Sequence, residues 1–262
     1  MNDMIDIGLN LIEKHFYGKE AELLERAVEA GISRMILTGS NLESSEKSLE
    51  FVLKYPSILR STAGVHPHDA KTYTAETTAS LKQLLTQEEV VAIGECGLDF
   101  DRNYSTPKDQ FFAFESQLQL ASDLHKPLFL HERAAHEDFL SVMRNFPGLA
   151  ERSVVHCFTG NQEQLKSYLN AGFHIGVTGW VCDPKRGGDL REALAYMDIE
   201  RLMIETDSPY LIPKNMKPKP KSSTNEPRYL PHIAREIARI MEVDEAVFIQ
   251  KVTENTKAFF KI

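Results

Sequence analysis

The sequence predicts an α/β fold of the (β/α)8 TIM-barrel class, a single domain over residues 1–262 with its working face at the C-terminal ends of the strands. Three observations predict it. Eight short apolar runs alternate with longer helix-like segments, the pattern of βα units around a parallel sheet. The runs are near-continuous in apolar residues rather than alternating, as buried parallel strands are. The length, 262 residues, suits one barrel, which typically takes about 250.

The first run is MIDIGLN (4–10). The segment EAELLERAVEAG (20–31) then sets Leu23, Leu24, Ala27 and Val28 on one helical face and ends on Gly31, a natural helix terminator. RMILTG (34–39) and RSTAGVH (60–66) are the second and third runs, and VVAIGECGLDF (90–100), the fourth, is the strongest of the set. Helical patterns over 108–124, 134–146 and 161–171 alternate with PLFLH (127–131), SVVHCF (153–158) and FHIGVTG (173–179). LMIETD (202–207) is the eighth run, and helical segments over 227–241 and 244–260 follow it. An open doubly wound sheet is the rival topology. A GxGxxG turn after the first run would favour it, and none is present. The breaker-rich stretch from Pro209 to Pro231, containing KPKPKSSTNEPRYLP, directly follows the eighth run and is expected to form a large loop over the barrel mouth.

Hydrophobic residues make up 42% of the chain and charged residues 26%, an ordinary globular balance that can bury a core without staples. A net charge of −8 argues against a broad polyanion-binding surface, although a bound cation would supply positive charge locally. Cys96, Cys157 and Cys182 show no CxxC spacing and form no disulfide framework, which fits a reducing compartment. No run approaches the ~18 apolar residues of a membrane span, and the opening residues lack the basic start of a signal peptide. The expectation is a cytoplasmic monomer, since no exposed apolar stripe stands out.

Polar residues stand repeatedly where the strands should end, the catalytic position of such barrels. Asp6 and Asn10 lie on the first run, His66 and His68 end the third, Glu95 sits within the fourth, His131 ends the fifth, His156 the sixth and Asp207 the eighth, after Glu205. One histidine after an apolar run is ordinarily a core or loop residue. The case rests on the set: PLFLH and SVVHC place His131 and His156 on adjacent strands, and Glu95 lies inside an apolar run where an unpaired carboxylate would be costly. Metal coordination removes that cost. Carboxylate and imidazole donors suit Mg²⁺, Mn²⁺ or Zn²⁺, and Asp207 could ligate an ion or accept a proton from an attacking water. Arg133 could meet an anionic substrate or form a local ion pair. Trp180 could pack at the rim or offer a base a stacking platform. The lysines at 214, 217, 219 and 221 could attract a strand backbone or simply be solvated.

These residues lie in longer motifs: DIGLNL (6–11), TAGVHPHD (62–69), VVAIGECGLDF, LHER (130–133), VVHCFTG (154–160), GVTGWVCD (176–183), IETDSPYL (204–211) and NEPRYLPHI (225–233). Nearly end to end, the chain resembles the TatD family of metal-dependent deoxyribonucleases, within the amidohydrolase-like barrel superfamily. The resemblance implies a divalent-metal nuclease, a 3′–5′ exonuclease on single-stranded DNA that also degrades RNA. It implies that Glu95, His131 and His156 are metal ligands and that Asp207 is the acidic catalytic residue, often also a ligand. It implies that His66 contacts the scissile phosphate. One departure stands out. Many members of the family begin with DxHxH, whereas here the positions read Asp6, Gly8 and Asn10. Two imidazole ligands are missing, so a second ion should be loosely held, which favours Mg²⁺ with its retained waters. Two rivals remain: an amide or ester hydrolase of the same superfamily, which would call for a strand-end lysine not seen here, and a degenerate, non-catalytic barrel.

Overall fold

The computed structural model describes residues 3–262. Eight strands stand in one sheet in chain order: β1 (Met4–Leu9), β2 (Ile32–Leu37), β3 (Leu59–Ala63), β4 (Val90–Asp99), β5 (Leu128–Arg133), β6 (Ser153–Val155), β7 (His174–Val177) and β8 (Leu202–Ile204). Leu9 bridges in parallel to Ser208, bringing the end of the series back to its start. With helices between the strands, this is the (β/α)8 barrel. The strands are as apolar and covered as their sequence requires: every residue of β1 and of β4 is buried.

The helices are α1 (Glu20–Glu29), α2 (Leu42–Lys54), α3 (Ala75–Leu84), α4 (Pro107–Leu124), α5 (His136–Arg144), α6 (Gln162–Ala171), α7 (Gly188–Leu194), α8 (Leu230–Ile240) and α9 (Glu245–Phe260). Local chemistry starts several of them. Asn41, Thr74, Thr106 and Asn161 each cap the backbone N–H three residues on, and Pro107 occupies the first position of α4, where no N–H is needed. Helix α6 ends at Gly172 in the left-handed conformation glycine favours. Three helices escape periodicity, two for want of an apolar stripe and one for its shortness. Helix α2 buries Ser45, Ser48 and Val52, α3 buries only Leu81, and the seven-residue α7 buries Leu190, Ala193 and Leu194.

The chain divides into two compact units. One contains the residues up to Ile36 together with Cys157–Ile262; the other is Leu37–His156. In the second, β3, β4, β5 and β6 pair in parallel. The glycines around Glu95 have a steric reason there. A Cβ on Gly94 would stand 2.1 Å from the Phe129 carbonyl oxygen, and one on Gly97 would stand 1.9 Å from that of His131. Both also have φ above +130°, so β4 can lie this close to β5 only with glycine at the two positions. In the first unit, β7 pairs with β8, and the stretch after β8 runs without regular structure to the short 3-10 turn Pro227–Tyr229. No helix among the described residues is long and apolar enough to cross a membrane.

Candidate metal centre

Four of the sequence-predicted site residues meet in the Leu37–His156 unit. Glu95, in the buried middle of β4, is 8% exposed. Its Oε1 lies 2.7 Å from His156 Nε2, 3.0 Å from His131 Nδ1 and 3.3 Å from His66 Nε2. His131 belongs to β5, opposite Gly97 in the register. His156 follows the last residue of the three-residue β6, its backbone N–H donating to the Leu130 carbonyl. His66 stands beyond β3 at the start of a 3-10 turn, its N–H donating to the Ser40 carbonyl. One carboxylate oxygen ringed by three imidazole nitrogens is a donor set with the chemistry of a divalent-cation site. His66, Glu95 and His131 offer ligand atoms all within 4.8 Å of one another.

The tautomer of His66 distinguishes it from the others. Its Nδ1 accepts the His68 backbone N–H at 3.0 Å, so in the neutral ring the proton sits on Nε2 and points at Glu95. Burial lowers the His66 pKa to about 4 against the pull of the Glu95 charge, so the ring is neutral at ordinary pH. His66 is thereby set as a hydrogen-bond donor, whereas a metal ligand must present a lone pair. Burial alone would raise the Glu95 pKa; the surrounding histidines outweigh it and hold the carboxylate ionised.

Two further residues join the cluster. Asp99, at the end of β4 and 1% exposed, places Oδ2 2.9 Å from His68 Nε2 and 3.3 Å from His131 Nε2. Its Oδ1 accepts the backbone N–H groups of Asp101 and Arg102. His131 thus has a carboxylate on each ring nitrogen. Burial would raise the Asp99 pKa, but its hydrogen bonds to His131, His68 and the backbone hold it far below the usual carboxylate range. A residue that orients a candidate ligand through its other nitrogen is a recurring part of metal sites. Asp99 carried one sequence signal: it stands four residues after Glu95, so the two-residue period of a strand puts both on one face.

The other expected residues have partners of their own. Asp207 belongs to the other unit, just past β8, with φ +53°. Its N–H donates to the Gly8 carbonyl and its Oδ1 accepts from Asn10 Nδ2 at 2.9 Å. Nearby in that unit, fully buried Asp6 accepts the Thr206 N–H and hydroxyl and the Gly8 N–H. Glu205 accepts the Cys157 N–H. Arg133 pairs with Asp101 at 3.0 Å, both side chains about half exposed. The cysteines are free thiols, and burial pushes Cys182 up to about 12 and Cys96 higher still, consistent with packing rather than nucleophilic roles.

Comparisons with known proteins bear on what this arrangement does. The family described as TatD related DNase matches residues 5–261. The 3′-5′ ssDNA/RNA exonuclease TatD of Edwardsiella piscicida is 48% identical over 252 residues, covering 96% of each chain. Its counterpart in Salmonella typhimurium is 44% identical over 259 residues, covering 99% of each. Among solved structures, a hydrolase TatD family protein from Entamoeba histolytica superposes with a TM-score of 0.88 at 29% identity, over 98% of each chain. The TatD homologue YjjV of Escherichia coli gives 0.89 at 25% identity, over 99% of this chain and 98% of that one.

Proposed function

Because the chain belongs to the TatD-related DNase family, we propose that it is a metal-dependent nuclease that removes nucleotides from the 3′ end of single-stranded DNA and also of RNA. The observation that carries the reading is the Glu95 oxygen with the His131 and His156 nitrogens within 3.0 Å and the His66 Nε2–H at 3.3 Å. Relatives named for this activity cover nearly the whole chain and support it.

Glu95, His131 and His156 would hold a divalent ion, Mg²⁺ in preference to Mn²⁺ or Zn²⁺, with Asp207 as a further acidic ligand or proton acceptor. When bound, the ion polarises a phosphate oxygen and acidifies water. The chain's own groups do the rest. His66 Nε2–H donates to a non-bridging phosphate oxygen, where charge develops as the phosphodiester is attacked. Asp207 takes the proton of the attacking water. Asp99 fixes the His131 ring, and His68 beside it. Arg133 exchanges Asp101 for a phosphate at the rim. The preference for Mg²⁺ rests on Gly8 and Asn10 standing where many members of the family carry two histidines, so fewer imidazole donors are offered. A monomer in a reducing, cytoplasmic setting completes the reading and accords with three free thiols.

The test is a single-stranded oligonucleotide labelled at its 5′ end, incubated with purified protein and Mg²⁺. The expected result is a ladder shortened from the 3′ end by wild type and intact substrate with the Glu95→Ala, His131→Ala double variant. Equal rates for the two proteins would end the proposal.

A further inference from the structure

Trp180 is the only tryptophan of the chain. It lies in the 3-10 turn Gly179–Cys182 that follows β7 and lines a cavity of about 350 Å³, within the size range of small-ligand sites. The opposite lining comes from the segment after β8, including Tyr210 and Lys214. Gly179 lets the two segments meet, since a Cβ there would stand 2.3 Å from the Leu211 carbonyl oxygen. The indole is held firmly. Its Nε1–H donates to the Arg186 carbonyl at 3.2 Å, and the Arg186 guanidinium lies 4.0 Å from the ring centroid.

The charges around it are built rather than scattered. Asp183, 2% exposed, accepts Arg186 Nε and Lys214 Nζ on one oxygen, each at 2.8 Å. Its other oxygen accepts the backbone N–H groups of Lys185 and Arg186. One buried carboxylate thus positions two cations whose side chains are about half exposed, leaving one positive charge in excess beside an aromatic wall. Tyr210, 46% exposed, adds a second ring. An indole with a guanidinium over one face, beside an ammonium and a second ring, has the chemistry to take up a nucleotide, base on the other ring face and phosphate on cation. One lining residue is tied to a residue of the proposed reaction: the Tyr210 N–H donates to the Asp207 carbonyl at 2.9 Å.

We propose that this cavity is a subsite for a non-scissile nucleotide of the substrate strand, with its base stacked on Trp180 and its phosphate met by Arg186 and Lys214. The inference rests on the nuclease reading for the identity of the strand, but it can be tested apart from hydrolysis. Stacking of this kind tolerates any base, so the subsite would add affinity without sequence preference.

Because Trp180 is the sole tryptophan, its emission reports on the cavity directly. The probe is a phosphorothioate oligodeoxythymidylate of about ten residues, slow to be cut, titrated in Mg²⁺ against an abasic strand of equal length. Emission should be quenched by the first and little changed by the second. Labelled-strand anisotropy should show affinity about tenfold weaker for Trp180→Leu, largely recovered in Trp180→Phe. Arg186→Gln and Lys214→Gln should each lower the salt dependence of binding by about one ion. Unchanged emission at saturation, or equal quenching by the abasic strand, overturns the subsite. Hydrolysis of an ordinary strand without quenching removes the subsite alone. Quenching without hydrolysis keeps it and removes the nuclease reading; neither removes both.

Discussion

At the ends of β4, β5 and β6, polar side chains converge on one another. At the ends of β1 and β8, acidic side chains take backbone N–H groups, a hydroxyl and a side-chain amide. Glu95 is met by His66, His131 and His156, side chains brought from three other strand ends. Asp6 is met by the N–H groups of Gly8 and Thr206 and by a hydroxyl, and Asp207 by the amide of Asn10. The first arrangement gathers donors that a cation would otherwise have to organise. The second is hydrogen-bonded already, and Gly8 has no side chain to offer a ligand atom. Burial of acid is common to both, so burial alone does not mark a metal site; what surrounds the acid does.

The contrast can be broken most forcefully at Glu95. Glu95→Ala should lower hydrolysis by about 10³-fold and abolish ion uptake in a metal titration. Chelation of the wild type with EDTA should give a comparable loss, restored by Mg²⁺; activity that survives exhaustive chelation would refute the metal-dependent reading. Next in size, His66→Ala should cost about 10²-fold in kcat while ion affinity stays near that of wild type. His131→Ala should lose both, and equal loss of affinity in the two variants would make His66 a ligand. In the second region, Asn10→His supplies an imidazole beside Asp207 and should tighten a second equivalent of ion about tenfold, read by calorimetry.

The smallest effect concerns pH. Burial raises the Asp6 pKa to about 7, the Glu205 charge adding to it and the Thr206 and Gly8 hydrogen bonds opposing it. Its folded pKa therefore lies above its unfolded one. Protonation of Asp6 stabilises the fold fully below about pH 4, and that contribution fades as pH rises through about 7. The thermal midpoint of the wild type should thus fall relative to Asp6→Asn between about pH 5 and about pH 8. Parallel midpoints would mean that Asp6 is not the titrating group.

The eight strands were legible because buried parallel strands leave apolar runs that need no partner to be recognised. Their ends were less so. Strands β6 and β8 are three residues each, so His156 and Asp207 lie past the paired segments rather than within them. Helices α2 and α3 escaped periodicity because Ser45, Ser48 and a lone Leu81 do the packing. Glu95, His131 and His156 could be singled out because polar residues interrupt or end apolar runs. The role of Asp99 could not, since its contact with His131 depends on the β4–β5 register. The donor state of His66 depends on one backbone N–H two residues away, which no composition records.

Helix α4 carries a consequence of its own. Gln110 and Gln117, seven residues apart and both buried, each pair with the backbone of a strand end or the residues just past it. Gln110 accepts the Asp99 N–H and donates to its carbonyl; Gln117 does the same for Val65. The amide hydrogens of Val65, the residue before His66, and of Asp99, the His131 partner, are therefore locked by side chains rather than by a neighbouring strand. Their exchange with deuterated solvent gives a clock for the centre that runs without substrate or metal. A variant distant in sequence that loosens α4 would show as faster labelling at these two amides, even where the global melting temperature hardly moves.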